Sequence, residues 1–311
     1  MSDTDSFLLF SGTSHKGLAE NIGKELGVSL GKLNIETFPD GEIGVQILEN
    51  VRGRDVYVVQ SISRDPNLYL VELLVLIDAF KRASARQIVP VLTYFGYGRQ
   101  DRKGAGRVPI TARLVADMLE KAGATQVLTM DLHTEQIQGF FDIPVDNLHA
   151  RTLFVKKAKS EGLDNCIIVA PDVGSARRAR RLSEDLGVEL AICDKNRIDA
   201  GTIQPGALIG SVEGKDVILF DDICSTGKTL ISASKVCKEA GARKIIAAVT
   251  HLQTHADILN DSDIDLFWYT DTIPPESSNT ADQRGVISTA KYFADAIKCI
   301  NKGDSLSKLA L

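Results

Sequence analysis

No apolar run in the 311 residues approaches the roughly 18 needed to cross a bilayer. The opening MSDTDSF has neither the cationic start nor the apolar core of a secretory signal. Positive charge is not in surplus: 36 Lys and Arg stand against 41 Asp and Glu, a net charge of -5, which leaves no overall basic footprint for nucleic acid. The five cysteines, Cys166, Cys193, Cys224, Cys237 and Cys299, are odd in number, widely spaced and mostly embedded in apolar runs. That distribution argues against a disulfide framework or a zinc site and fits reduced thiols. Low-complexity segments and short repeats are also absent. The expectation from these absences is a cytoplasmic globular protein with neither a membrane nor a nucleic acid as partner.

At 44% hydrophobic and 25% charged residues the composition is that of an ordinary globular chain, and the length suggests about two domains. Short apolar runs, such as FLLF near Phe7, VYVVQ near Tyr57, IVPVL near Val89, VLTM near Leu128, CIIVA near Ile167 and IIAAVT near Ile245, alternate with amphipathic ones. Helical patterns lie over Val71 to Ala83, Thr111 to Ala122 and Ser175 to Leu186. This is the alternation of an α/β fold with doubly wound, mainly parallel sheets flanked by helices. Buried-strand patterns end in an Asp at Asp131, Asp172 and Asp221, which suggests two related sheets with a boundary near Asn147 to Arg151. Ligands in such folds bind at the carboxyl ends of strands.

The organising stretch is VILFDDICSTGKT, Val217 to Thr229. A buried strand ends in Asp221 and Asp222, and Ser225, Thr226, Gly227, Lys228 and Thr229 open the next amphipathic run. Hydroxyls and free N–H groups at a helix start bind phosphate, while carboxylates accept hydrogen bonds from sugar hydroxyls, so the pattern suits a sugar phosphate. Elsewhere FPDGE forms a turn displaying Asp40 and Glu42. YFGYGRQDRK, Tyr94 to Lys103, offers aromatic faces for a base and Arg99, Arg102 and Lys103 for phosphates. His133 follows a strand end, where an imidazole can ligate a metal, hydrogen-bond a phosphate or cap the next helix; with Asp172 it could supply the thin ligand set that suffices for Mg²⁺, which keeps waters and takes substrate phosphate oxygens. Lys195 and Arg197 in AICDKNR point the same way if the backbone is extended. Arg177, Arg178, Arg180 and Arg181 share one helix, which cannot aim all four at one site; most are expected on a solvated or subunit-facing surface.

In this order and at these spacings, YFGYGRQDRK, DLHTEQIQGFFDIPVDNL, PDVG, DKNR and FDDICSTGKT resemble the ribose-phosphate diphosphokinase family, and the resemblance covers almost the whole chain. It implies two phosphoribosyltransferase-like domains, residues 1–148 with ATP-binding loops and residues 149–290 with a ribose 5-phosphate site, then a helix and tail, 291–311, packing back on the first domain. The implied reaction moves the diphosphoryl group of MgATP to the anomeric hydroxyl of ribose 5-phosphate, giving 5-phosphoribosyl 1-diphosphate and AMP. By position, Phe38, Asp40, Gly41, Glu42, Arg99, Gln100 and Asp101 would bind ATP, and His133 and Asp172 would contact Mg²⁺. Asp221, Asp222 and Ser225, Thr226, Gly227, Lys228 and Thr229, helped by Arg197, would hold ribose 5-phosphate, with Lys195 and Arg197 catalytic. The implied assembly is a homo-oligomer, hexamers built from dimers. Ser225, Lys228 and Asn196 depart from the commoner family pattern, and Glu135 puts a carboxylate where a small polar residue is usual. Such a charge repels phosphate, so activation by inorganic phosphate and inhibition by ADP are not expected. The competing readings are a noncatalytic partner of the synthetase and, more remotely, a phosphoribosyltransferase.

Overall fold

The computed structural model describes residues 7–163, 165–194, 207–275 and 285–309, and the backbone of 197–199 and 202–203. The chain folds as two units. One comprises the described residues up to His149 with Thr272–Pro274 and residues 289–309; the other comprises Ala150–Asp271 and Pro275–Ser288.

In the first unit, β1 (Phe7–Ser11) leads through α1 (Lys16–Leu26) to a hairpin of β2 (Leu33–Thr37) and β3 (Ile43–Ile47). There follow β4 (Asp55–Ser61), α2 (Pro66–Arg82), β5 (Gln87–Tyr94), α3 (Thr111–Ala122), β6 (Val127–Met130) and β7 (Val145–Leu148). The main sheet is parallel, in the order β1-β4-β5-β6-β7. Every residue of β4 is buried, as a central strand covered on both faces requires. Val56 and Val58 join Phe10, Ile88 and Leu92 in a core with α2 and α3, while the alternate residues Tyr57, Val59, Val89 and Val91 are buried on the other face. Glu72 is buried in α2 and accepts hydrogen bonds from Thr13 N at 2.7 Å, Thr13 Oγ1 at 2.5 Å and Gln60 Nε2 at 2.8 Å, which pins the loop after β1.

The second unit runs α4 (Arg151–Ser160), β8 (Cys166–Ala170), α5 (Ala176–Leu186), β9 (Glu189–Cys193), the pair β10 (Arg197–Asp199) and β11 (Thr202–Ile203), and β12 (Leu208–Ile209). It continues through β13 (Asp216–Cys224), α6 (Lys228–Glu239), β14 (Lys244–Leu252), β15 (Leu266–Thr270) and β16 (Val286–Ile287). Its seven-stranded sheet has the order β12-β9-β8-β13-β14-β15-β16, parallel except for β12. From β8 the chain passes through α5 to β9 on one side; from β13 it passes through α6 to β14 on the other. The order therefore reverses between β8 and β13, and the turns after these two strands flank a crevice of the kind in which open α/β sheets bind ligands.

The final helix, α7 (Ala290–Lys302), belongs to the first unit and packs on α1, burying Phe293, Ala294, Ala296 and Ile297. Thr272 O accepts from Ser61 Oγ at 3.1 Å and Thr93 Oγ1 at 2.7 Å, and Pro274 O accepts from Arg64 Nε and Nη2 at 3.1 and 3.0 Å. All five cysteines are free thiols, four buried and Cys299 partly exposed. Among the described residues no helix is long and apolar enough to cross a membrane.

Phe80 is fully buried, and its ring centroid lies 4.7 Å from that of Phe10. Phe80→Ala is expected to destabilise the first unit by about 3–5 kcal/mol, read as a lowered urea midpoint.

Candidate active site

At the reversal point in the second unit, β13 pairs with β8 only over Asp216–Leu219 but follows β14 as far as Cys224. Its last residues thus run beyond the end of β8, and the first turn of α5 reaches them. Arg178 Nη1 lies 3.1 Å from Oδ1 of Asp221 and 3.1 Å from Oδ1 of Asp222. The Asp222 N–H donates to Asp221 Oδ1 at 2.9 Å. Only 15% of the Asp221 side chain and 4% of the Asp222 side chain are exposed. Burial first, then the charge of Asp222, push the Asp221 carboxyl well above its ordinary range, and Arg178 pulls it back.

The turn after the pair is built around Gly227, whose φ of 68° is left-handed. A Cβ there would come within 3.1 Å of Leu259 Cδ2 and 3.2 Å of Ile258 Cγ2, so both conformation and space call for glycine. Cys224 sulfur accepts the Gly227 N–H, and burial pushes this thiol up to about 11. Ile231 N donates to Gly227 O at 2.9 Å as α6 begins. Thr226 and Lys228 are exposed, and Ser225 and Thr229 are half-buried. A helix start with these hydroxyls and one cation offers the chemistry that suits an anion.

Beyond the end of β8, Asp172 caps the turn Val173–Ser175: its Oδ1 accepts Ser175 N at 3.0 Å, while Ser175 Oγ lies 3.3 Å from Asp172 N. Lys195 and Asn196 lie outside the described residues. Arg197 is described as backbone in β10, and its side chain is outside the described set.

In the first unit, Phe38, Asp40, Gly41 and Glu42 form the exposed tip of the β2–β3 hairpin. Phe38 N donates to Glu42 O and Gly41 N to Phe38 O, each at 2.8 Å, and Glu42 N donates to Asp40 Oδ1 at 3.1 Å. Arg99 and Gln100 are exposed on the loop after β5. Thr111 Oγ1 donates to Gln100 Oε1 at 2.5 Å, and Thr134 Oγ1 donates to Asp101 Oδ2 at 2.8 Å. The second bond ties this loop to the one after β6, where His133 sits, and a Cβ on Gly98 would lie 3.7 Å from His133 Cβ. The structure thus brings Asp101 and His133 onto adjoining loops, while Phe38 to Glu42 stand on a separate two-stranded sheet.

Residues 7–123 match the N-terminal domain of ribose phosphate pyrophosphokinase, and residues 142–274 match the phosphoribosyl transferase domain. Over 315 residues the chain is 46% identical to the ribose-phosphate pyrophosphokinase of Thermotoga maritima, with 99% of each chain covered. The chain belongs to the ribose-phosphate pyrophosphokinase family. It is likewise 47% identical to the Maricaulis maris ribose-phosphate pyrophosphokinase over 307 residues, covering 97% of this chain and 99% of the other. The crystal structure of phosphoribosylpyrophosphate synthetase from Mycobacterium smegmatis matches with a TM-score of 0.90 at 38% identity, covering 96% of this chain and 99% of that one.

Within this pyrophosphokinase fold, Arg178 departs from the solvated or subunit-facing surface expected for most of its helix. The signal for it in the sequence is the acid pair: two adjacent buried carboxylates demand a cation, and the loop–helix on the neighbouring strand is where one can be supplied.

Two measurements follow from this geometry. The native fold holds the Asp221 proton to higher pH than the unfolded chain does, so its contribution to stability falls as pH rises from the ordinary value of 3.8 through the raised one. The urea midpoint of wild type is therefore expected to lose ground to that of Asp221→Asn as the pH is raised above 3.8; a gap that stays constant contradicts the lift. Iodoacetamide at pH 8 is expected to modify the partly exposed Cys299 and to spare Cys224 in the native protein, as peptide mass mapping would show.

Proposed function

We propose that the protein transfers the diphosphoryl group of ATP to the anomeric hydroxyl of ribose 5-phosphate, forming 5-phosphoribosyl 1-diphosphate and AMP, and so feeds nucleotide biosynthesis in the cytoplasm. The observation that carries this reading is the junction of β13 and α6. There an acid pair able to accept from sugar hydroxyls leads into a glycine-kinked turn that aims helix N–H groups at a phosphate. Membership of the pyrophosphokinase family supports it.

Residues 1–148 provide the nucleotide loops and 149–290 the sugar-phosphate site, with 291–311 packing back on the first. Phe38 offers a ring face to the base, Asp40 and Glu42 accept hydrogen bonds beside Gly41, and Arg99, Gln100 and Asp101 face the nucleotide from the loop after β5. Asp221 and Asp222 fix the ribose, and Ser225 to Thr229 fix its 5-phosphate. Lys195 and Arg197 neutralise the charge that spreads over the diphosphoryl oxygens as the anomeric oxygen attacks the β-phosphorus, and alignment supplies much of the remaining acceleration.

Mg²⁺ is the metal we assign. Asp172 fits it: a hard oxygen donor already oriented by Ser175. Mg²⁺ needs only one or two such ligands beside water and phosphate oxygens. Asp172 and His133 would hold it, and when bound it supplies charge neutralisation along the phosphate chain. Glu135, the first residue of the turn Glu135–Phe140, makes turnover independent of inorganic phosphate by repelling it. The working form is a homo-oligomer, hexamers built from dimers.

The test is AMP formation from ATP, Mg²⁺ and ribose 5-phosphate with inorganic phosphate varied. Lys195→Ala is expected to lower turnover by roughly 10²–10³-fold, the scale of one preorganised transition-state contact. Near-normal turnover by the folded variant overturns the role of Lys195. Strong activation by phosphate overturns the role of Glu135. No AMP at any phosphate concentration overturns the synthetase reading in favour of a noncatalytic partner.

A further inference from the structure

The pair Asp221–Asp222 is recruited for ribose recognition, yet neither carboxylate is placed by the strand alone. Consecutive residues on a strand point to opposite faces, so two neighbouring acids do not ordinarily converge on one ligand. Here they do converge, because a single nitrogen of Arg178 lies 3.1 Å from Oδ1 of each. Arg178 itself is only 25% exposed. It stands in the first turn of α5, which follows directly on the turn Val173–Ser175 that Asp172 caps, so the loop after β8 carries it to the acids.

We propose that Arg178 is the positioning residue of the ribose site: by bridging Asp221 and Asp222 it holds both carboxylates in one arrangement as acceptors for the ribose hydroxyls, and thereby sets the affinity for ribose 5-phosphate. The inference rests on the assignment of the acid pair to ribose given above. Two carboxylates withdrawn from water repel each other and favour uptake of a shared proton; a proton would turn one acceptor into a donor and swing the other away. A guanidinium has no proton to lose at neutral pH and presents a planar fork, so it opposes both changes at once. The ribose hydroxyls other than the anomeric one do not react. Interactions with them are equally strong in the ground state and the transition state, so their loss appears in KM.

The test compares wild type, Arg178→Gln and Arg178→Lys in two measurements: steady-state kinetics with each substrate varied, and thermal stabilisation by ribose 5-phosphate without ATP. Arg178→Gln is expected to raise KM for ribose 5-phosphate roughly 10- to 100-fold, the scale of hydrogen bonds to a charged group, with a far smaller effect on kcat and on KM for ATP. Arg178→Lys, a shorter cation that keeps the charge beside the pair and hence the fold, is expected to restore KM part of the way and to remain several-fold above wild type. Ribose 5-phosphate is expected to raise the unfolding temperature of wild type and to lose most of that effect on Arg178→Gln.

An unchanged KM in either variant overturns the proposal. So does a lowered KM, which would make Arg178 a competitor of the sugar, and so does a loss confined to kcat. If Arg178→Gln does not fold, the Lys variant decides alone. If wild type forms no AMP but is stabilised by ribose 5-phosphate, the synthetase reading fails while the thermal arm still judges Arg178. If wild type is not stabilised at all, the ribose assignment fails and the proposal with it.

Discussion

Two carboxylates on consecutive residues, nearly withdrawn from water at the end of one strand, set the terms for the second half of this molecule. A pair of this kind is stable only with a cation in contact. The cation comes from α5, which follows directly on the turn Val173–Ser175, and the Asp172–Ser175 bonds cap that turn. The strand beneath must not shift either, and Phe220, immediately before the pair, meets the ring of Phe154 edge-on at 5.4 Å. Sheet order, helix cap and ring contact together serve one arrangement of charge.

The first unit buries a carboxylate too, and in the opposite manner. Glu72 is satisfied by a backbone N–H, a hydroxyl and an amide, all from its own unit, with no cation among these partners. A carboxylate consumed by neutral donors is a piece of scaffolding: its acceptor capacity is already taken up in holding the loop after β1. The pair on β13 is instead balanced by charge, through the guanidinium of Arg178. The two buried acidic sites of one chain thus differ in their partners rather than in their burial.

Much of the fold was legible as apolar runs. β4 and the first half of β13 read as continuous buried strands, and the helix patterns fell where α2, α3 and α5 form. What could not be read depends on distant partners. The apolar run at Val217–Phe220 ends before the acids, yet the strand continues to Cys224 because β14 keeps pairing with it, Asp221 beside Val249 and Ile223 beside His251. The contact of Arg178 was hidden for the same reason: four arginines within five residues look alike until the strand beside their helix brings Asp221 and Asp222 to Arg178. In the nucleotide half, FPDGE read as a turn from Pro39 and Gly41, while the strands that carry it, β2 and β3, are short and half-exposed and leave only a weak pattern. Gly227 was visible as a loop residue, but its close approach to Ile258 and Leu259, some thirty residues onward, was not.

The path of the chain between the units bears on how the protein is made. A ribosome releases β1 to β7 long before Thr272, Pro274 and α7 exist. Until those residues emerge, the hydroxyls of Ser61 and Thr93 lack the carbonyl of Thr272, Arg64 lacks that of Pro274, and α1 lacks the apolar face of α7. The strands from β8 to β15, by contrast, form one nearly continuous stretch of sequence. The half synthesised first is therefore the half completed last: its sheet is whole by Leu148, but the contacts from Thr272, Pro274 and α7 come only at the end of synthesis.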